Sequence, residues 1–157
     1  LSGRALRLRH DVRDILTFKG PSSTIDGVRT RLEYEVEVDN LGNAWLILEG
    51  LGYVLTVSYE KWRAMYRLNG LLITLDELPY GNFCEIEGAD TAVIRSTAAV
   101  LSMYWETRIE SSYLELFETL KRGRGLTMRD LTFAAFADIA LTGSDLGVRP
   151  ADRPFFL

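Results

Sequence analysis

The sequence predicts an α+β fold in which antiparallel strands with one charged and one apolar face come first and helices follow. The clearest observation is the alternation over residues 28–38, where Arg and Glu occupy one face and Val, Leu and Tyr the other. A second is the Asn69-Gly70 pair between two alternating stretches, which suits a type I′ hairpin turn. The third is apolar spacing typical of amphipathic helices beyond residue 90.

Composition narrows the function classes. The chain has 157 residues, is 47% hydrophobic and carries a formal charge of −4, which favours a single globular domain over residues 1–157. This charge gives no general attraction to nucleic acid or to anionic membranes, so an anionic ligand needs a local concentration of Lys and Arg. One Cys and one His exclude zinc sites and Cys/His catalysis. No apolar run reaches 18 residues, so we expect a cytoplasmic protein without a membrane partner, and a homodimer remains open.

The first third of the chain is predicted to form three strands and a short helix. Alternation indicates strands over residues 4–9 and 12–19, the second ended by Gly20-Pro21. Residues 22–27 are then interpreted as a loop before the strand over 28–38. The apolar, glycine-flanked residues 43–51 indicate a short helix that packs on the sheet.

Residues 61–87 are predicted to form three consecutive antiparallel strands. A two-residue loop at Asn69-Gly70 places Arg63 opposite Asp76. A four-residue loop over 79–82 would then place Asp76 opposite Glu85, and Thr74 opposite Glu87. Because side chains alternate along a strand, one face of the sheet gathers the charged residues Lys61, Arg63, Asp76, Glu85 and Glu87.

Three helices are predicted after the strands. Asp90 or Thr91 caps the first, and the capping box Ser112–Glu115 begins a second that Gly123 ends. A third is predicted over residues 127–142, followed by an irregular tail, so that 127–157 form the C-terminal helix and tail. We expect the aromatic side chains of these helices, Tyr113 among them, to lie in the core.

The charged faces allow two interpretations. An antiparallel sheet with one wet side is the usual cause of such alternation. Here, however, cations and carboxylates are segregated along the chain, and the sheet can instead curl with its charges inward around a ligand-filled cavity, since charges are not buried dry. Carboxylates suit Mg²⁺ or Mn²⁺, while Arg and Lys suit phosphate, so such a cavity would bind a metal–polyphosphate.

Six short motifs carry a resemblance. They are Leu6-Arg-Leu-Arg9, Thr17-Phe-Lys-Gly-Pro21, Arg31-Leu-Glu-Tyr-Glu35, Lys61-Trp-Arg63, Leu75-Asp76 and Glu85-Ile-Glu87. In this order, over about residues 4–120, they resemble the CYTH superfamily, the triphosphate tunnel metalloenzymes. The resemblance implies an antiparallel β tunnel barrel with a charged interior, helices packed outside, and a bound triphosphate or polyphosphate with Mg²⁺ or Mn²⁺.

The resemblance also implies roles for individual residues. Glu33 would be the catalytic residue that orients the nucleophile. The phosphate-binding residues would be Arg7, Arg9, Lys19, Arg31, Lys61 and Arg63. The metal-binding residues would be Glu35, Asp76, Glu85 and Glu87.

One part of the family pattern is absent, the N-terminal Glu-x-Glu-x-Lys strand; we expect it to precede the present sequence, and the alternative is that the protein has lost part of its metal site. Three functions stay open. The first is metal-dependent hydrolysis of a triphosphate, and the second is a class IV-type adenylyl cyclase that makes cyclic AMP from ATP. The third is a non-catalytic polyphosphate-binding module.

Overall fold

The computed structural model describes residues 3–152, which divide into two compact units, one ending at Thr56 and the other beginning at Val57. The α+β class is confirmed, since each unit contains an antiparallel three-stranded sheet and helices. In the described residues the strands pair within these two sheets and no closed barrel is detected. The elements in chain order are β1 (Ala5–His10), β2 (Asp14–Ile25), β3 (Val28–Glu37), α1 (Leu41–Gly50), β4 (Trp62–Leu68), β5 (Leu71–Leu78), β6 (Gly81–Glu87), α2 (Thr91–Val100), a 3₁₀ turn (Trp105–Thr107), α3 (Tyr113–Arg124), α4 (Phe133–Phe136) and a second 3₁₀ turn (Gly143–Leu146).

In the first unit the strands pair in the order β1-β2-β3, and β2 is longer than predicted. The predicted end at Gly20-Pro21 and the predicted loop over 22–27 are wrong. A register shift between Lys19 and Ser22 accommodates the proline, and β2 then continues to Ile25 opposite Val28. The true turn is Asp26-Gly27, where both residues have positive φ, 50° and 75°, as a type I′ turn requires.

In the second unit β4, β5 and β6 follow one another as two hairpins. The first hairpin is as predicted: Asn69 and Gly70 have φ of 53° and 79°, and Arg63 lies opposite Asp76. The predicted loop over 79–82 is wrong, because Leu78 pairs with Gly81 and only Pro79 and Tyr80 form the turn.

This shorter turn changes the partners across β5 and β6. The predicted pairs Asp76–Glu85 and Thr74–Glu87 do not form; Asp76 lies opposite Phe83 and Thr74 opposite Glu85. The buried side chain of Tyr80 explains the difference, since its hydroxyl donates to the Tyr113 carbonyl at 2.8 Å and holds the turn in place.

Helices α2 and α3 begin where their capping residues predict. The side chain of Asp90 accepts from the backbone of Ala92 and Val93 at the start of α2, and the Ser112–Glu115 capping box is formed at the start of α3. The predicted end of α3 at Gly123 is wrong; the helix continues to Arg124 and is capped by Gly125, which has a φ of 64°.

The long helix predicted over 127–142 is wrong, since only the four residues of α4 are helical there. Leu131 instead forms an isolated parallel bridge with Tyr59, its N–H donating to the Ser58 carbonyl at 2.8 Å. That extended segment places fully buried Leu131 in the core of the second unit, and the predicted tail beyond residue 152 lies outside the described residues. The other buried members of this core are Leu78, Tyr80, Leu116, Phe117, Leu120, Phe136 and Leu146.

No helix among residues 3–152 has both the length and the apolar character needed to cross a bilayer.

Candidate functional site

The second unit presents a compact charged surface, which we call the second charged face, and which β4, β5 and β6 build by alternation. Arg63 and Asp76 are cross-strand partners, as are Thr74 and Glu85. Lys61 immediately precedes β4. The face consists of Lys61, Arg63, Thr74, Asp76, Glu85 and Glu87.

Asp76 is the centre of this face. Only 2% of the residue is exposed, and both carboxylate oxygens are used. Oδ1 accepts from Arg63 Nε at 2.6 Å. Oδ2 accepts from Lys61 Nζ at 2.8 Å, Arg63 Nη2 at 2.5 Å and Tyr113 Oη at 2.9 Å. Four hydrogen bonds from two cations and one hydroxyl compensate this charge, which is what allows it to be buried.

The charges stabilise one another. Burial by itself would raise the pKa of Asp76, but hydrogen bonds and charge from Arg63 and Lys61 outweigh it and hold that pKa below its usual value. Burial likewise opposes the charge on Arg63, yet the hydrogen bond to Asp76 and the negative charge of Glu85 raise the pKa of Arg63 above its usual value. At neutral pH the face therefore contains fixed, opposite charges.

Arg63 links the buried and the exposed parts of the face. Its Nη2 atom donates both to Asp76 and to Glu85 Oε2, each at 2.5 Å. The Glu85 side chain is 37% exposed, whereas that of Asp76 is 0% exposed. Thr74, fully buried, lies within 3.5 Å of the same Glu85 oxygen. Glu85 is therefore the partner that a ligand from solvent can displace, while Asp76 holds Arg63 in place.

Tyr113 contacts this face and was not predicted to do so. It is the first residue of α3, and besides its hydrogen bond to Asp76 its ring centroid lies 5.4 Å from Lys61 Nζ. The capping box predicts where α3 begins, but nothing in the sequence pairs this helix with β5. The prediction that Tyr113 is only a core residue is therefore incomplete.

The first unit has its own charged surface, which we call the first charged face, formed by Arg7, Arg9, Thr17, Lys19, Glu33 and Glu35 of β1, β2 and β3. Thr17 is fully buried and donates to Glu35 Oε1 at 2.8 Å, and Arg7 Nη2 lies 3.4 Å from the same oxygen. Lys19 pairs with Glu33. Thus four predicted site residues meet on this sheet as cation–carboxylate pairs.

Two arginines of the first unit differ in their surroundings. The buried Nε atom of Arg9 has no hydrogen-bond partner among residues 3–152, so this side chain can still donate to a ligand. Arg31 instead donates to backbone carbonyls, to Gly20 at 2.5 Å and Gly3 at 2.9 Å. Those bonds hold the irregular part of β2 and give Arg31 a structural role in addition to its predicted phosphate-binding role.

The carboxylates suit a divalent metal only when a phosphate ligand completes its coordination. Across residues 3–152, no group of three or more His, Cys, Asp or Glu side chains is placed to hold a metal ion. Mg²⁺, however, usually takes one or two protein carboxylates together with phosphate oxygens and water. Glu85 and Glu87, two residues apart on β6, supply that donor set and would hold a metal that arrives with a phosphate ligand.

The fold and these faces define a class of protein: an α+β protein whose antiparallel sheets each carry ordered cations and carboxylates suited to a polyanion. More specifically, residues 1–96, over half of the chain, match the CYTH domain, and the chain belongs to this family. It is also similar to a solved structure, a conserved hypothetical protein from Pyrococcus furiosus, at 24% identity. That likeness covers 71% of this chain and 72% of the other with a TM-score of 0.59, and it concerns the fold. A comparison with curated proteins found no match.

Proposed function

We propose that the chain binds a triphosphate-containing small molecule or polyphosphate and hydrolyses it with a divalent metal. The observation that carries the proposal is the second charged face, where buried Asp76 aligns Lys61 and Arg63 beside the more exposed Glu85. Membership of the CYTH family supports the ligand class, because the family is that of the triphosphate tunnel metalloenzymes.

A phosphate ligand would bind to Lys61 and Arg63 in the positions in which Asp76 holds them. Arg63 offers a planar fork that matches phosphate oxygens, and Lys61 offers a compact charge beside it. A phosphate oxygen would replace Glu85 as an acceptor for Arg63 Nη2, since Glu85 is the exposed partner. Asp76 would keep its bond to Arg63 Nε and so preserve the direction of the guanidinium.

Considered by itself, the first charged face would also bind phosphate oxygens through its own cations. Arg9 is one candidate, because its buried Nε has no hydrogen-bond partner in the described part of the chain. Arg7 and Lys19 would exchange their carboxylate partners for phosphate oxygens. When these ion pairs are broken, Glu35 would be available to bind a metal. Glu33 would be available to orient the attacking water.

A divalent metal would neutralise charge on the phosphate oxygens, which is most of what phosphoryl transfer needs from a protein site. Glu85 and Glu87 would hold it. We assign Asp76 to positioning the cations and only secondarily to metal binding, since its oxygens already accept four hydrogen bonds.

Isothermal titration with inorganic tripolyphosphate, with and without Mg²⁺ or Mn²⁺, tests binding. Incubation with tripolyphosphate, ATP or thiamine triphosphate, followed by assays for phosphate and cyclic AMP, tests the reaction. Phosphate release supports the hydrolase, and cyclic AMP from ATP would replace it with the class IV-type cyclase. A chain that binds none of these compounds contradicts the proposal.

A second candidate is a non-catalytic polyphosphate-binding module. It is favoured by the ion pairs of Glu33, Glu35 and Glu85 with Lys19, Arg7 and Arg63, which engage carboxylates that a metal would need. Tripolyphosphate binding that is equally tight with and without metal, with no turnover of any substrate, is the result expected of such a module. The predicted cytoplasmic location and homodimer have no bearing on this choice.

A further inference from the structure

Tyr113 is held by the core at the edge of the second charged face. It begins α3, whose start is fixed by the capping box: Ser112 N donates to Glu115 Oε2 at 2.6 Å. The next turns of the helix bury Leu116, Phe117 and Leu120. The position of Tyr113 is therefore set by the packing of α3 rather than by the charged residues.

The turn between β5 and β6 provides a second support. Tyr80 Oη donates to the carbonyl oxygen of Tyr113 at 2.8 Å, and the Tyr113 ring packs on Phe83 with centroids 5.2 Å apart. Backbone and ring are thus both fixed, and the hydroxyl points at an acceptor on the second charged face.

That acceptor is Asp76 Oδ2, 2.9 Å from Tyr113 Oη, and the ring lies 5.4 Å from Lys61 Nζ. Tyr113 is the only uncharged donor among the side chains that bond to Asp76 in the described residues. Burial, with the nearby negative charges of Glu85 and Asp76, raises the pKa of Tyr113, so the hydroxyl stays protonated and can donate.

We infer that Tyr113 is a positioning residue: its hydroxyl anchors Asp76 and its ring faces Lys61, so that Lys61 and Arg63 stay aligned for a phosphate ligand. The inference rests on the proposed function. An anionic ligand draws both cations towards itself and weakens their bonds to Asp76, which is buried and costly to leave without donors. A neutral hydroxyl is not drawn to the ligand, so it keeps the carboxylate in place while the cations bind.

The test compares Tyr113→Phe with Tyr66→Phe. The first keeps the ring and removes the hydroxyl from Asp76, whereas the control removes the hydroxyl of an exposed tyrosine of β4 that alternation places on the face of the sheet opposite to Arg63. Titration with inorganic tripolyphosphate gives the dissociation constant, and circular dichroism confirms that each variant is folded. The ¹⁵Nε–¹Hε NMR signal of Arg63, which donates to Asp76, reports directly on the alignment.

We expect Tyr113→Phe to weaken tripolyphosphate binding about tenfold, which is the loss of one hydrogen bond to a charged group, and to shift the Arg63 signal. Tyr66→Phe should change binding by less than about twofold, because its hydroxyl lies on the other face of the sheet from the cations. Equal binding by both variants, with the Arg63 signal unmoved in Tyr113→Phe, overturns the inference. If the unmodified chain binds no tripolyphosphate, the proposed function fails. The role of Tyr113 is then judged separately, and it is rejected if the Arg63 signal in Tyr113→Phe is the same as in the unmodified chain.

Discussion

Replacing Asp76 by Asn tests whether the buried carboxylate of Asp76 holds the cations of the second charged face in place. The side chain is 0% exposed and accepts from Lys61, Arg63 and Tyr113. Removing one partner of a buried ion pair costs about 3–5 kcal/mol. Asn places an NH₂ group against the donors at one position but keeps an accepting oxygen at the other. Because that oxygen retains part of the hydrogen bonding, we expect the lower end of this range, about 3 kcal/mol.

Thermal unfolding followed by circular dichroism at pH 7 measures this loss. For a chain of this length about 3 kcal/mol corresponds to a fall in Tm of about 6–12 °C. Glu77→Gln is the matched control, because the neighbouring Glu77 is exposed on the same strand, and its effect should stay within about 0.5 kcal/mol. A loss below about 1 kcal/mol for Asp76→Asn would refute the view that this carboxylate fixes the cations.

The pH dependence of the same variant follows from the sign of the pKa shift. The pKa of Asp76 is lowered in the folded chain, so the unfolded chain binds the proton more readily. The stabilisation is therefore complete above the unfolded pKa of about 3.9 and is lost as the pH falls below it towards the folded pKa. The difference in Tm between the two proteins should be constant near neutral pH and shrink below about pH 4. A difference that instead grows on acidification contradicts the assignment.

Three further outcomes are expected. Arg63→Ala should weaken tripolyphosphate binding about 100-fold in a chain that still folds, whereas Arg122→Ala, at an exposed arginine of α3, should leave titration isotherms unchanged. Glu87→Gln should lower metal-dependent phosphate release about tenfold or more while Tm changes little, and equal losses of both would return Glu87 to a structural role. Asp145→Asn should lower Tm at pH 7, because Arg124 and the backbone of Thr142 hold the pKa of Asp145 at about 2; this effect should fade from about pH 4 to pH 2.

Local signals explain the parts of the fold that could be predicted. The Asn69-Gly70 turn needs only its own two residues, and it placed Arg63 opposite Asp76 correctly. Asp26-Gly27 carries an equally strong turn signal, but Gly20-Pro21 was interpreted as the end of the strand. A strand can pass a proline where its register shifts, and a pattern of residue types does not show where that occurs.

The C-terminal segment could not be predicted because its partner is distant in sequence. Apolar residues between 131 and 140 recur at a spacing that suits a helix. Leu131 nevertheless adopts an extended conformation and pairs with Tyr59, while the side chain of Asp130 accepts from Ser58 N at 2.8 Å. The contact of Tyr113 with Asp76 is of the same kind, since it joins residues 37 apart that no local pattern relates.

The two-residue error at the second hairpin explains why the charged face forms as predicted, whereas the predicted pairing of Asp76 with Glu85 does not. A shift by two residues preserves the side of the sheet, so Glu85 and Glu87 still share a face with Asp76. It does change the neighbours: Glu85 lies opposite Thr74 and contacts Arg63, and Glu87 lies two residues further along β6, opposite Leu72. Two residues along a strand are about 7 Å, so Glu85 is displaced by that distance from the position opposite Asp76 that was predicted for it. Any metal at this face therefore depends on the ligand's phosphates to complete its coordination, and its affinity should be low until the triphosphate is present.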